Sequence, residues 1–272
     1  ENVWRQASIR NGFEEVEGPI FEPLDLYKVK SGEGIVSELF QVTRENSEHT
    51  YALRPEITPT LARMVAERAH ALPKPIKWFC LPNLCRAENP QRGRLREFLQ
   101  WNVDIFGLDD PAADAEVIYA CVDVLRSLGL TPQHVQVKIS HRETVHTILS
   151  KLGVPDDQML QAFNLLDRRD KMAGEEFTAE AGKLGLDEYK VERFEQMCRR
   201  KYPAGDVAHL ERSIGIASIE DLEALDRELT NFGITEWCEY DLGIVRGLAY
   251  YTGTVFEVHE VTGAERAMAG GG

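Results

Sequence analysis

The chain lacks most of the features that classify a sequence quickly. No apolar run approaches the ~20 residues needed to cross a bilayer, which excludes a helical membrane span. No signal-peptide pattern opens it. There is no GxGxxG and no GxxxxGK(S/T), so any nucleotide must be held by something other than a glycine-rich strand-to-helix turn. The five cysteines (Cys80, Cys85, Cys121, Cys198 and Cys238) are odd in number and without CxxC spacing. That argues against a disulfide framework and a structural zinc site, and makes reduced thiols in a cytoplasmic protein the expectation. Positive charge is also short: 31 Lys and Arg face 45 Asp and Glu, a net charge of −14. Broad coating of nucleic acid needs clustered cations and is disfavoured.

What is present is ordinary in bulk. The 272 residues are 43% hydrophobic and 28% charged, as expected of a globular chain with one large domain or one plus a smaller. Residues 1–12 read as a helix already under way, as if the true start precedes them, ending at Gly12. Phe13 to Glu22 reads as a strand containing Pro19, which confines it to an edge, a bulge or an interface. Residues 39–42 and 50–53 alternate as a hairpin. Thr58 is the expected N-cap of a helix with Pro59 at its first position. Strands are expected near 76–86 and 97–107, a helix over 112–128 and a strand over 135–139. From about 155 to 215 short helical patterns alternate with charge, at 159–166, 188–200 and 207–214, with no strand pattern. Ser218 to Asp221 resembles a capping box for a helix running to Gly233. Strands return at 237–241 and 253–260. Hairpin-rich strands flanked by helices predict an α+β fold with a mostly antiparallel sheet, interrupted by a helical insertion. The expected divisions are 1–154, an insertion over 155–216, and 217–272.

Three segments carry chemistry. In Val245 to Glu257 a cation, Arg246, precedes the adjacent Tyr250 and Tyr251 and a glycine-flanked turn. The turn leads into a strand with Thr254, Phe256 and Val258 on one side and Val255, Glu257 and His259 on the other. A guanidinium beside two phenols suits an anionic, aromatic-friendly small ligand; taken alone, a Gly-bounded hairpin with an exposed Arg and two core tyrosines is the commoner arrangement. In Cys85 to Gln100, Arg86 leads into a polar loop bearing Arg92, Arg94 and Arg96. Arg is suited to bidentate phosphate contact, so Arg86 and Arg94 can hold phosphates, Glu88 can accept from an amino group and Phe98 can stack on a base. A solvated basic hairpin tip is the alternative, and the residues leave both open. In Leu53 to Pro59, Glu56 can bind an ammonium group, or the segment is simply a helix start.

The succession of RPEITPTLARMVA (54–66), RAENPQRGRLREFLQ (86–100) and VRGLAYYTGTVFE (245–257) resembles the histidyl-tRNA synthetases, a family of class II aminoacyl-tRNA synthetases. The second segment resembles class II motif 2, the third a histidine-binding signature, and GFEEVEGPIFEPLDLY (12–27) resembles motif 1, whose proline lies at a dimer interface. The resemblance covers almost the whole chain. It implies activation of histidine by ATP, with Mg2+ accompanying the nucleotide, to histidyl-adenylate, and transfer to the tRNA that accepts histidine. It also implies a homodimer in the cytoplasm, away from membranes. By motif position Arg86 binds the α-phosphate and the amino-acid carboxylate, stabilising charge in the transition state. Glu88 and Phe98 hold the adenine and Arg94 the outer phosphates. Arg246 lies against the α-phosphate. Glu56, Thr58 and Gln100 hold the α-amino group, Tyr250 and Tyr251 line the imidazole pocket, and Asp104 faces the ring.

Three departures accompany the resemblance. Asp104 falls where the family commonly has a glutamate; the shorter acid sets the ring deeper or bridges it by water. Ala249 falls where the family usually has an acid. Gly270 to Gly272 resembles the start of motif 3, and the sequence stops before its ATP-binding arginine and before an anticodon-binding domain, so the expectation for these residues alone is poor catalysis and poor tRNA discrimination. A related family, the regulatory subunit of ATP phosphoribosyltransferase, shares the fold, lacks that domain and senses histidine. It has typically lost the positions that Arg86, Glu88, Arg94 and Arg246 retain here.

Overall fold

A computed structural model describes residues 1–31, 36, 39–45, 49–87, 89, 94–169, 172–215, 219–245, 251–263 and 266–272. It divides into two compact units, Glu1–Asp109 and Asp110–Gly272. Among the described residues no helix is long and apolar enough to cross a membrane.

The first unit begins with helix α1 (Asn2–Arg10) and the two-residue strand β1 (Glu14–Glu15). The strand expected over 13–22 is therefore mostly not one. β1 ends at once, and Pro19 lies between it and β2 (Phe21–Pro23), where no ladder hydrogen bond is asked of it. After α2 (Leu24–Ser31) comes the expected hairpin, β3 (Gln41–Thr43) and β4 (Thr50–Leu53), with β4 between β2 and β3. α3 (Thr58–Arg68) starts one residue earlier than expected: Ile57 occupies the N-cap and Thr58 is already helical, without a side-chain cap. β5 (Ile76–Cys80) lies between β1, which runs parallel to it, and β8 (Asn102–Phe106), which is antiparallel. Between them β6 (Asn83–Cys85) and β7 (Glu97–Leu99) form a separate hairpin with Leu84 opposite Phe98. Each broad strand expected near 76–86 and 97–107 is thus two short ones. The core forms where Ile57 and Leu61 of the α3 start pack on Ile76, Trp78 and Cys80 of β5.

The second unit opens with α4 (Pro111–Ser127), where the Asp110 carboxylate accepts the Ala112 N–H at 2.8 Å and Pro111 occupies the first turn. β9 (Val135–His141) leads into α5 (Arg142–Leu152). The helical stretch holds α6 (Met159–Arg168), α7 (Gly174–Lys183), α8 (Glu188–Arg199) and α9 (Val207–Ile214). Its rings meet in a stack, Phe177 against Phe194 at 5.8 Å. α7 has no counterpart in the expected elements, and neither has β10 (Tyr202–Pro203), too short to show a period of two. α10 (Glu220–Asn231) buries Leu222, Leu225 and Leu229; its N-cap is Ile219, and Ser218 lies outside the described residues. β11 (Cys238–Tyr240), β12 (Thr254–Glu260) and β13 (Ala269–Gly271) complete a five-stranded sheet in the order β10-β11-β9-β12-β13, antiparallel except where β11 meets β9. Val255 is buried along with Thr254, Phe256 and Val258, so both faces of β12 are covered there. All five cysteines are free thiols. Burial pushes Cys80, Cys121 and Cys198 up to about 12, so these thiols pack as small apolar groups.

Candidate functional site

In the first unit the site is organised by a buried cation that the sequence reading did not single out. Arg54, 8% exposed, follows β4 and spreads its guanidinium over three carbonyls: Asn83 at 2.9 Å, Gly18 at 2.8 Å and Pro19 at 3.3 Å. Its own carbonyl accepts the Cys85 N–H at 2.9 Å. Arg54 therefore ties the segment around Pro19 to β6, immediately before Arg86. Charge-assisted bonds to backbone carbonyls suit a buried guanidinium, which presents five donors in a fixed fork. A side chain buried by carbonyls leaves no periodic trace, so only the Arg-Pro junction hinted at it.

Arg86 is placed from two sides. Its Nε donates to the Pro55 carbonyl at 3.0 Å, and its guanidinium lies 5.0 Å from the centre of the Phe98 ring. Its backbone N–H donates to Arg96 at 2.8 Å, closing the β6–β7 hairpin. Arg86, Phe98 and the Pro55-Glu56 turn are thus brought together, with a flat cation over an aromatic face. Glu56 and Thr58 are half-buried at the start of α3, and Arg94 is exposed. Glu88 lies outside the described residues, as do 90–93.

Gln100 and Asp104 are linked by a residue not foreseen. Gln100 Nε2 donates to Asn102 Oδ1 at 2.7 Å, and Asn102 Nδ2 reaches Asp104 Oδ2 at 3.5 Å. Asn102 and Asp104, two apart on β8, share a strand face, and Gln100, just before that strand, joins them through Asn102, so the three form one polar row. That alternation is visible in the sequence and was the available signal for Asn102. Across the sheet Asp104 sits opposite Trp78. After burial, its charge is the next cause that raises the Cys80 thiol. A row that ends in a carboxylate and begins in an amide can orient a ligand carrying ring N–H and ammonium donors.

In the second unit Arg246, Ala249 and Tyr250 lie outside the described residues, but both flanks of that segment are described. One residue holds them. The Arg142 guanidinium donates to the Val245 carbonyl at 3.0 Å, and its backbone N–H donates to the Gly253 carbonyl at 3.0 Å. The guanidinium also lies 4.5 Å from the centre of the Phe163 ring of α6, and burial lowers its pKa. Tyr251, half-buried, packs against the final glycine: a Cβ on Gly272 would sit 2.7 Å from Tyr251 Cδ1. A Cβ on Gly271 would sit 2.6 Å from Phe256, its partner in the β12–β13 register. Gly271 and Gly272 thus have a steric cause: two aromatic rings occupy the space a side chain would need.

Beside this, His141 is buried at the end of β9. Its Nδ1 accepts the Thr144 N–H that opens α5, and its Nε2 lies 3.7 Å from Asp221. Burial lowers its pKa, partly offset by the charges of Asp221 and Glu143. Among the described residues these three form the single cluster close enough to hold a metal ion, with ligand atoms within 4.8 Å of one another. With Nδ1 accepting, the neutral ring carries its proton on Nε2, which faces Asp221 beyond hydrogen-bond distance.

Comparison with known proteins places the chain. The family model described as histidyl-tRNA synthetase matches residues 4–272. A histidine–tRNA ligase from Opitutus terrae is 37% identical over 99% of this chain and 62% of its own length. The chloroplastic/mitochondrial histidine–tRNA ligase of Arabidopsis thaliana is 37% identical over 100% of this chain and 55% of its own. The chain therefore spans roughly six-tenths of the length of these curated relatives. Among solved structures, an ATP phosphoribosyltransferase regulatory subunit/histidyl-tRNA synthetase from Bacillus halodurans superposes with a TM-score of 0.81 at 23% identity, over 100% of this chain and 70% of that one. A histidyl-tRNA synthetase from a Nostoc species gives 0.80 at 20% identity, over 96% of this chain and 60% of its own. These likenesses show the fold, an α+β arrangement in agreement with the sequence reading.

Proposed function

Because the chain belongs to the histidyl-tRNA synthetase family, we propose that it is the catalytic region of a histidine–tRNA ligase, joining histidine to ATP as histidyl-adenylate and passing it to tRNA. The observation that carries this reading is the placement of Arg86, drawn over Phe98 and anchored on Pro55 beside Glu56. A guanidinium held in advance of the ligand can stabilise negative charge developing at an α-phosphate without reorganising at the moment of reaction. Phe98 offers a stacking face for adenine, with Glu88 on the base and Arg94 on the outer phosphates. Mg2+ fits as a companion of the nucleotide, whose phosphates supply most of its ligands.

Histidine selection falls to the polar row. Asp104 accepts from the imidazole, while Gln100, Glu56 and Thr58 hold the α-amino end. Arg246, Tyr250 and Tyr251 act on the same substrate, and Arg142 fixes the segment that bears the first two. A site built around buried hydrogen-bonding groups rejects side chains that leave them unpaired. The helical stretch 155–216 is an insertion between the catalytic parts 1–154 and 217–272. A homodimer forms through the segment around Pro19, where Ile20 is 62% and Phe21 51% exposed. The protein works in an aqueous, reducing compartment such as the cytoplasm.

Pyrophosphate exchange in the full-length protein tests the reading. Exchange that requires both histidine and ATP supports it. Histidine binding without exchange would favour the histidine-sensing regulatory subunit instead.

A further inference from the structure

The second unit contains a cavity that none of these roles uses. Its volume is about 330 Å³, at the lower end of the range of small-molecule sites. α5 contributes Ile148 and Lys151, and α8 contributes Arg193 and Met197. Arg200 follows at the end of α8, and Tyr202 opens β10. No residue assigned to histidine or ATP lines it, and among the described residues no carboxylate does. In a chain where acids outnumber bases 45 to 31, three cations around one cavity without an acid is a local reversal of sign.

The charges are also unspent. Neither the Arg193 nor the Arg200 guanidinium makes a hydrogen bond or ion pair among the described residues. By contrast Arg199, on the same helix, pairs with Glu195 at 3.2 Å. Lys151 has a local partner, the Gly215 carbonyl at 3.4 Å, which satisfies the carbonyl end of α9. That explanation does not extend to Arg193, in the middle of α8. Like charges gathered on a low-dielectric wall raise the local concentration of anions. Beneath them Ile148, Met197 and Tyr202 are buried and apolar.

We propose that this cavity binds a small organic phosphate monoester, its dianion held by Lys151, Arg193 and Arg200 and its apolar part set against Ile148, Met197 and Tyr202. Arginine forks match phosphate oxygens, and the apolar floor decides the class. A nucleic-acid backbone crossing the cations would leave that floor unused, whereas a compact ester uses both. The site does not depend on the ligase reading.

The probe is phenyl phosphate, followed by NMR of methionine methyl groups. The chain has only five methionines, so the Met197 signal is identified by Met197→Leu. A saturable shift of the Met197 methyl is expected, unchanged by saturating ATP and histidine. Inorganic phosphate should bind at least tenfold more weakly. Arg193→Gln combined with Arg200→Gln should weaken phenyl phosphate at least tenfold while the other four methyl signals stay in place. The proposal is overturned if Met197 does not respond, or if the double variant binds as the parent does. It is also overturned if a short RNA duplex saturates the Met197 shift at lower concentration than phenyl phosphate, which would assign the cations to a nucleic-acid backbone.

Discussion

The Arg142 guanidinium donates to the Val245 carbonyl at 3.0 Å, while the backbone N–H of the same residue donates to Gly253 at 3.0 Å. One residue at the β9–α5 junction therefore fixes both flanks of the segment that carries Arg246 and Tyr250. Arg142→Met should raise the KM for histidine roughly tenfold or more, in line with about 1.5 kcal/mol or more for a charge-assisted bond. The KM for ATP should change far less. Arg142→Lys keeps the charge and should recover part of the loss. Equal changes in both KM values would mark Arg142 as merely structural.

The row Gln100, Asn102 and Asp104 predicts a second effect. Asn102→Ala removes the amide that receives Gln100 and reaches Asp104. The two end residues should then lose their mutual alignment, and histidine affinity measured by calorimetry should fall about five- to tenfold, the worth of one net hydrogen bond. An unchanged affinity would show that Gln100 and Asp104 are placed by something else.

Gly271 gives a prediction of stability. Its Cβ would meet Phe256 at 2.6 Å, so Gly271→Ala must displace a ring in the sheet interior. A cost of about 1–3 kcal/mol is expected from overpacking, read as a lowered urea midpoint. Combining it with Phe256→Leu, which vacates the space, should restore much of that loss relative to Phe256→Leu alone.

His141 sets a pH dependence. Burial lowers its pKa below the ordinary value of 6.5, although Asp221 and Glu143 pull the other way. The unfolded chain therefore takes up the proton first as pH falls. Stability is fully present above about 6.5 and declines as pH drops from there through the lowered folded value. His141→Asn retains a side-chain oxygen for the α5 cap and cannot titrate. The difference in unfolding free energy between parent and variant should shift in favour of the variant below pH 6.5. A difference independent of pH would contradict this.

The strong periodic elements were legible in the sequence: the helix beginning at Pro111, the strand from Val135 and the strand at 254–260 all follow patterns that burial imposes. The misses share physical causes. β1 and β10 have two residues each, too few to show alternation. The N-cap of α3 fell on Ile57 because the hydrophobic contact with β5 governs where that helix starts, whatever Thr58 prefers. In the site, Arg86 and Phe98 were legible because charge and aromaticity recur around one loop. Arg54 and Arg142 were not, because their partners are carbonyls far away in sequence, and a carbonyl has no residue type. Asn102 lay between two residues that had been singled out, on the strand face it shares with Asp104.

Formation of an activated histidine is what separates a ligase from a histidine sensor. It is tested most directly by mass spectrometry of a single-turnover mixture of the full-length protein with histidine, ATP and Mg2+. Histidyl-adenylate is expected in amounts approaching the protein concentration, none with other amino acids, and at least a hundredfold slower formation with Arg86→Gln, as for loss of one donor to a developing oxyanion. Histidine bound to the folded protein without any adenylate, or an Arg86→Gln variant that forms it at the parent rate, would contradict it.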